Sequence, residues 1–410
     1  MIVIAKYTHF ALRLLLLVTL LPMSAQAGLS GNADKDAGRL YQLLTGVPLM
    51  NENPLKSQIV SLIAQGNVEG AAAVITDPQN GATEFYEVVV RNIASVFGYS
   101  ESSIEQPLND FMALFIGIVR DDAPISDLLT ANYLYNVAGI TPAYANNSNA
   151  HYLAAAAKTT YVRSLTKFVP TDFTHVGAYN TRAFGLDYFK GGTKRRNFEA
   201  LVQKFFNVSQ KSVMMADLPE DQYRRDFPMA VGGVPIENVT SPLCIGCHRS
   251  MDGAVRTFLG YAWNANTNRL EVAAPGSATF DQVNEVNRAG QLANSTVGKI
   301  YVSPEMNDRV FGYSGLMNRG AYLEADIGDM KQFMEQYVTQ SRGFYRGMAE
   351  RVAFYMYTGR ILTLVNRSEA DAQLLSSLKP IVDELLDGGF IANRNLRKLF
   401  EAAAVQYLKS

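Results

Sequence analysis

Leu108-Asn109-Asp110-Phe111-Met112-Ala113-Leu114-Phe115-Ile116-Gly117-Ile118-Val119 is the stretch that sets the architecture. Leu108, Phe111, Met112, Phe115 and Val119 recur at i, i+3, i+4, i+7 and i+11, the period of an α-helix with one face turned to a core. The same stripe returns in Met330, Phe333, Met334, Tyr337 and Val338, and in Tyr345, Met348, Ala349, Val352 and Met356. Leu396, Leu399, Phe400, Ala403 and Tyr407 form a last stripe that closes the chain. Alternating patterns are scarce, and Leu270 to Ala273 reads at best as one short strand. The expectation is a mainly α fold, with helical regions surrounding a smaller segment described below.

The chain has 410 residues, 37 Lys and Arg against 38 Asp and Glu, 48% hydrophobic and 18% charged residues. This is a globular composition, which excludes a disordered chain or a collagen-like repeat. A formal net charge of −1 gives no basic footprint, so nucleic acid is not expected as a partner.

The N-terminus reads as a secretory signal. Lys6 and Arg13 give a positive start without acidic residues, Leu14 to Leu21 form a short apolar core, and Ala25-Gln26-Ala27 is an A-x-A cleavage site. Residues 1–27 are therefore expected to be removed, leaving a chain that begins at Gly28. The competing reading is an uncleaved anchor. No later stretch is long and apolar enough to span a bilayer; Phe111 to Val119 comes closest and has the length of a buried helix. The expected location is the periplasm, with no membrane span after signal removal.

Cys244-Ile245-Gly246-Cys247-His248 contains both cysteines of the chain. C-x-x-C-H is the attachment pattern of c-type haem: two thiols at this spacing reach the two vinyl groups of one porphyrin, and the next residue sets an imidazole against the iron. A thioredoxin-like redox pair needs a βαβ context that the sequence lacks. A disulfide here would close only a tiny loop. A zinc site normally takes four ligands, and besides the two cysteines only His151, His175 and His248 follow residue 27. One covalent haem c is the expected cofactor, held by Cys244, Cys247 and His248.

The chain divides into 28–165, an N-terminal helical region; 166–325, the haem-binding region, whose second part from 266 is rich in Asn, Gly, Ser and Ala and reads as long loops; and 326–410, a C-terminal helical region. No internal repeat is evident.

Three stretches carry a resemblance to a known group. They are Leu108-Asn109-Asp110 through Arg120-Asp121-Asp122 with Leu128 to Tyr133; Thr181-Arg182-Ala183-Phe184 and Gly192 to Arg196 with Cys244 to His248 and Met251-Asp252-Gly253; and Tyr357-Thr358-Gly359-Arg360. In these the chain resembles the exported cytochrome-domain proteins abundant in planctomycetes, myxobacteria and some proteobacteria, whose flanking domains have no known function. The resemblance implies a haem-binding, redox-active exported protein and supplies no substrate.

A six-coordinate haem needs a ligand opposite His248. Met306, in Ser303-Pro304-Glu305-Met306, best fits the order of common small cytochromes, with Met317 second. Met251 lies too close to His248 in the chain to reach across the iron. His151 and His175 are the imidazole candidates. Phe258, Tyr261 and Trp263 are candidates to pack on the haem, and Lys194, Arg195 and Arg196 to pair with its propionates. For each of these residues, core packing or a solvated helix start is the competing role.

The sequence contains no P-loop, H-E-x-x-H or G-x-S-x-G motif, and no dinucleotide-binding glycine motif in its strand–helix context. Asp121-Asp122, before Ala123-Pro124, reads as turn chemistry rather than an acid/base pair. The leading expectation is a monohaem c-type cytochrome passing single electrons to or from an unknown redox partner protein. The alternatives are a peroxidase-like or oxidase-like haem enzyme with an open distal site, for which the chain is long enough, and a binding or scaffold protein with a structural haem.

Overall fold

Short polar side chains set where the helices begin. Asn32, Asn67, Asn109, Thr181, Ser341 and Asn395 each accept a backbone N–H from the turn that follows, satisfying a donor that helix geometry leaves open. Ser368 and Asp371 make the reciprocal version, each side chain accepting the other's backbone N–H. A computed structural model of the chain describes residues 28–98, 107–158, 160–170, 177–190, 194–208, 261–264, 266–272, 299–300, 323–324, 330–336, 338–362 and 367–410. The fold is mainly helical, as the apolar stripes imply.

The N-terminal part contains α1 (Ala33–Thr45), α2 (Lys56–Ala64), α3 (Val68–Thr76), α4 (Arg91–Gly98), α5 (Asp110–Arg120), the short α6 (Asp127–Thr130) and α7 (Ala150–Ala156). A wide π-helical turn, Phe85–Val90, leads into α4. The middle part contains α8 (Arg182–Tyr188), preceded by a 3-10 turn at Gly177–Asn180, and α9 (Lys194–Ala200), which continues as a π-helical turn through Leu201–Phe205. The C-terminal part contains α10 (Met330–Gln336), α11 (Arg342–Thr358), α12 (Glu369–Leu385), the short α13 (Ile391–Asn393) and α14 (Leu396–Lys409).

Three two-stranded antiparallel ribbons are described. β1 (Leu134–Val137) pairs with β2 (Leu165–Phe168), Leu134 opposite Phe168. β3 (Tyr261–Asn264) pairs with β4 (Arg269–Val272), Trp263 opposite Leu270, so the expected short strand exists with a partner just before it. β5 (Lys299–Ile300) pairs with β6 (Leu323–Glu324).

Helices from the two ends of the chain share one core. α14 lies against α1, α3, α5 and α11, and its apolar stripe, Leu396, Leu399, Phe400, Ala403 and Tyr407, is buried. Its start is stitched to the turn after α5: the Ile125 N–H donates to the Arg394 carbonyl at 2.8 Å, and Arg397 pairs with Asp122. Glu401 accepts the Thr76 hydroxyl at 2.6 Å and the Lys398 ammonium at 2.7 Å.

An aromatic chain joins all three parts. Phe97 of α4 sits 5.5 Å from Phe205, Phe111 of α5 sits 5.9 Å from Phe184 of α8, Phe184 is 6.0 Å from Phe205, and Phe205 is 6.4 Å from Phe344 of α11. All five rings are fully buried. Each is worth about 3–5 kcal/mol on truncation to alanine, against about 0–1 kcal/mol for an exposed ion pair, so this apolar chain, not the surface charges, fixes the middle segment to its flanks.

Among the described residues no helix is long and apolar enough to cross a membrane.

Candidate functional site

α8 is the hub of the middle segment. Its first turn would leave four N–H groups open, and each has a partner. The Arg182 and Ala183 N–H groups donate to the two carboxylate oxygens of Asp110, the latter at 3.0 Å. The Phe184 N–H donates to Thr181 Oγ1 at 3.3 Å, and the N–H of Thr181 itself to the Ala178 carbonyl at 3.0 Å. Asp110 is buried at the start of α5. Burial pushes its carboxyl above the usual range, against the downward pull of the Ala183 and Arg182 N–H groups. One side chain thus fastens the N-terminal region to α8, and two of the stretches that carry the resemblance meet in this contact.

The β3–β4 ribbon and α9 both pack on α8. The Trp263 ring lies so close to Gly185 that a Cβ there would come within 2.0 Å of Trp263 Cζ3. Any side chain at 185 therefore displaces the indole. Tyr179 is fully buried, 4.8 Å from Phe184 of α8, and its hydroxyl donates to the Asn197 carbonyl at 3.2 Å. The Asn197 side chain is fully buried, and among the described residues neither its Nδ2 nor its Oδ1 has a hydrogen-bond partner, nor does the buried Trp263 Nε1.

Cys244, Cys247, His248, Met251, Phe258, Met306, Met317 and His175 lie outside the described residues, as does the signal segment 1–27. The chain leaves the described core at Val208 and re-enters it at Tyr261, both buried. Of the aromatic candidates, Tyr261 is buried and Trp263 partly buried against the core. Of the basic candidates, Arg196 is exposed on α9.

His151 is placed, and it is committed elsewhere. Its Nδ1 sits 2.9 Å from the Pro142 carbonyl and its Nε2 accepts the Val137 N–H at 3.0 Å. That pairing assigns the proton to Nδ1 and leaves no ring nitrogen to bind iron or abstract a proton. His151 therefore leaves the set of distal-ligand candidates.

Asp121 and Asp122 form the turn that the sequence suggests. Asp122 turns to Arg397, while Asp121 accepts Arg120 Nε at 2.7 Å and the Tyr135 hydroxyl at 2.7 Å. Burial pushes Asp121 upward, but the hydrogen bonds from Arg120 and Tyr135 and the charges of Arg120 and Lys167 outweigh it and hold the carboxyl below its ordinary value. The two carboxylates serve separate cations and share no reacting centre.

Tyr357-Thr358-Gly359-Arg360 is a helix stop. Gly359 closes α11 in the left-handed region at φ 64°, and Arg360 pairs with Asp371 at 2.6 Å. A cleft of about 760 Å³ between α3, α12 and α14 is lined by residues such as Glu69, Leu385, Phe390, Val405 and Lys409, with neither His nor Cys. Its rim charges pair among themselves, Lys409 with Glu69 and Lys398 with Glu401. Among the described residues no group of three or more His, Cys, Asp or Glu side chains is placed to hold a metal ion.

A scan against protein-family models finds no match, and searches of the curated proteins and of the solved structures find none either.

Proposed function

We propose that this chain is an exported monohaem c-type cytochrome that passes single electrons through a covalently bound haem. The observation that carries the reading is Cys244-Ile245-Gly246-Cys247-His248, which uses both cysteines of the chain in the attachment spacing with the histidine in register. The donor set fits the group: two thiols for the vinyl carbons and one imidazole for the iron.

When bound, the haem supplies one-electron cycling between ferric and ferrous iron. The rest falls to the protein's own side chains. Cys244 and Cys247 would hold the haem through thioether bonds, His248 would bind its iron, and Met306 is the second residue proposed to bind it. The clamp from Asp110 to α8 and the aromatic chain through Phe184 and Phe205 hold the flanking helices rigid. The redox partner is a protein met outside the cytoplasm, after the signal segment 1–27 has been removed.

The test is an optical spectrum of the matured protein, oxidised and reduced. A six-coordinate low-spin haem is expected, with a weak near-infrared thioether band that Met306→Ala removes while opening the iron to carbon monoxide. A high-spin wild type that reacts rapidly with peroxide would replace electron transfer with the haem-enzyme reading.

A further inference from the structure

Lys398, Leu399, Ala402, Val405, Gln406 and Lys409 recur at the spacing of one helix face, and they form the α14 wall of the cleft shared with α3 and α12. The cleft volume of about 760 Å³ lies in the range of small-molecule sites, roughly 300–1,000 Å³. Leu385, Phe390, Leu399 and Val405 are buried and give it an apolar floor. Glu384 and Ala402 are exposed, so the cleft opens to solvent.

Three carboxylate side chains line the cleft, and two of them are already neutralised. Glu69 accepts the Lys409 ammonium at 2.5 Å, which holds its carboxyl below the usual range. Glu401 accepts Lys398 Nζ at 2.7 Å and the Thr76 hydroxyl at 2.6 Å. Glu384 is the surplus charge: among the described residues it has no cationic partner, and its side chain accepts only Gln406 Nε2. That bond fixes the amide, since turning it over would set Oε1 against the carboxylate. Gln406 Oε1 is left as a buried acceptor with no donor among the described residues, a state natural proteins seldom leave unfilled.

A carboxylate without a cation and an amide carbonyl without a donor, joined by one hydrogen bond, fit a single group that is both positive and rich in N–H. We propose that this cleft binds a small organic amine, whose ammonium donates to Glu384 and to Gln406 Oε1 while its hydrocarbon body covers Leu385, Phe390 and Val405. Lys398 and Lys409 lie on the same wall but are turned to their own carboxylates, so an acid finds no free cation there. The same residues form this site whether or not a haem is attached.

Calorimetric titration of the exported full chain with phenethylamine, phenethyl alcohol and hydrocinnamate separates charge from apolar burial. The amine is expected to bind at least about tenfold more tightly than the alcohol, the scale of one charge-assisted hydrogen bond, and the acid is expected not to bind. The amine's advantage shrinks with added salt, because its ion pair lies at an open mouth. Glu384→Gln is expected to bring the amine down to the alcohol's affinity and to leave the alcohol unchanged. Ala402→Phe, which sets a ring on the cleft wall, is expected to weaken both at least about tenfold. Both substitutions fall at exposed positions and are expected to leave thermal unfolding unchanged.

Equal affinities for amine and alcohol, an amine affinity unmoved by Glu384→Gln, or binding that survives Ala402→Phe would overturn the proposal. Tighter binding of the acid overturns it by assigning the cleft to anions through Lys398 and Lys409, and no binding of any of the three overturns it outright.

Discussion

Replacing Asp110 with alanine tests how the middle segment is held. The carboxylate accepts the Arg182 and Ala183 N–H groups of α8 from more than seventy residues away, and it does so from a buried position. Truncation leaves both amides buried without partners, at about 1–3 kcal/mol each. It also removes a negative charge from the start of α8, about 0.3–1 kcal/mol more. Against this stands relief of the carboxylate's own desolvation, the effect that pushes its pKa up. The expected net loss is about 2–4 kcal/mol, read as a lower urea midpoint with an unchanged slope. Asp110→Asn keeps one acceptor oxygen and is expected to cost about half as much. Hydrogen exchange localises the effect: the Ala183 amide is expected to lose protection in Asp110→Ala, while amides in α12 keep theirs. A change below about 0.5 kcal/mol, the range of an inert surface substitution, or unaltered exchange at Ala183, would refute the clamp.

His151→Ala is expected to destabilise the protein by about 1–3 kcal/mol, because the Val137 N–H loses its acceptor, and to leave the haem spectrum unchanged; a shift to high spin would restore His151 as an iron ligand. Asp121 carries stability that is present above its unfolded pKa of about 3.9 and is lost as pH falls through its lower folded value. Asp121→Asn is therefore expected to flatten the stability–pH curve on the acid side, whereas Asp110, with its pKa shifted upward, contributes the opposite slope. Gly117→Ala is expected to cost about 1–3 kcal/mol despite better helix propensity, since the new Cβ would sit 2.5 Å from the Tyr135 ring; equilibrium unfolding of that variant checks it.

The helices were legible because each carries its own evidence. The stripe from Leu108 to Val119 is wholly buried in α5, and those of α11 and α14 are buried in the same way. What the sequence hides is pairing at a distance. β1 and β2 are four residues each, too short for an alternating pattern, and a long connection containing α7 separates them. Asn109-Asp110 reads locally as a helix start, and Asn109 does cap α5. Nothing in that dipeptide announces that Asp110 also serves the first turn of α8. His151 shows the same limit: a lone histidine has the same letter whether it binds iron or, as here, holds Val137 and Pro142. Cys244 to His248 is the opposite case, since the chemistry proposed for it rests on local spacing alone.

The central claim is that Cys244 and Cys247 carry a haem. The most direct measurement is the intact mass, under denaturing conditions, of the full chain exported from a host able to mature c-type cytochromes. The account predicts a polypeptide beginning at Gly28 plus the mass of one haem, reduced to weak or no attachment in Cys247→Ser. A mass equal to the bare polypeptide would contradict it.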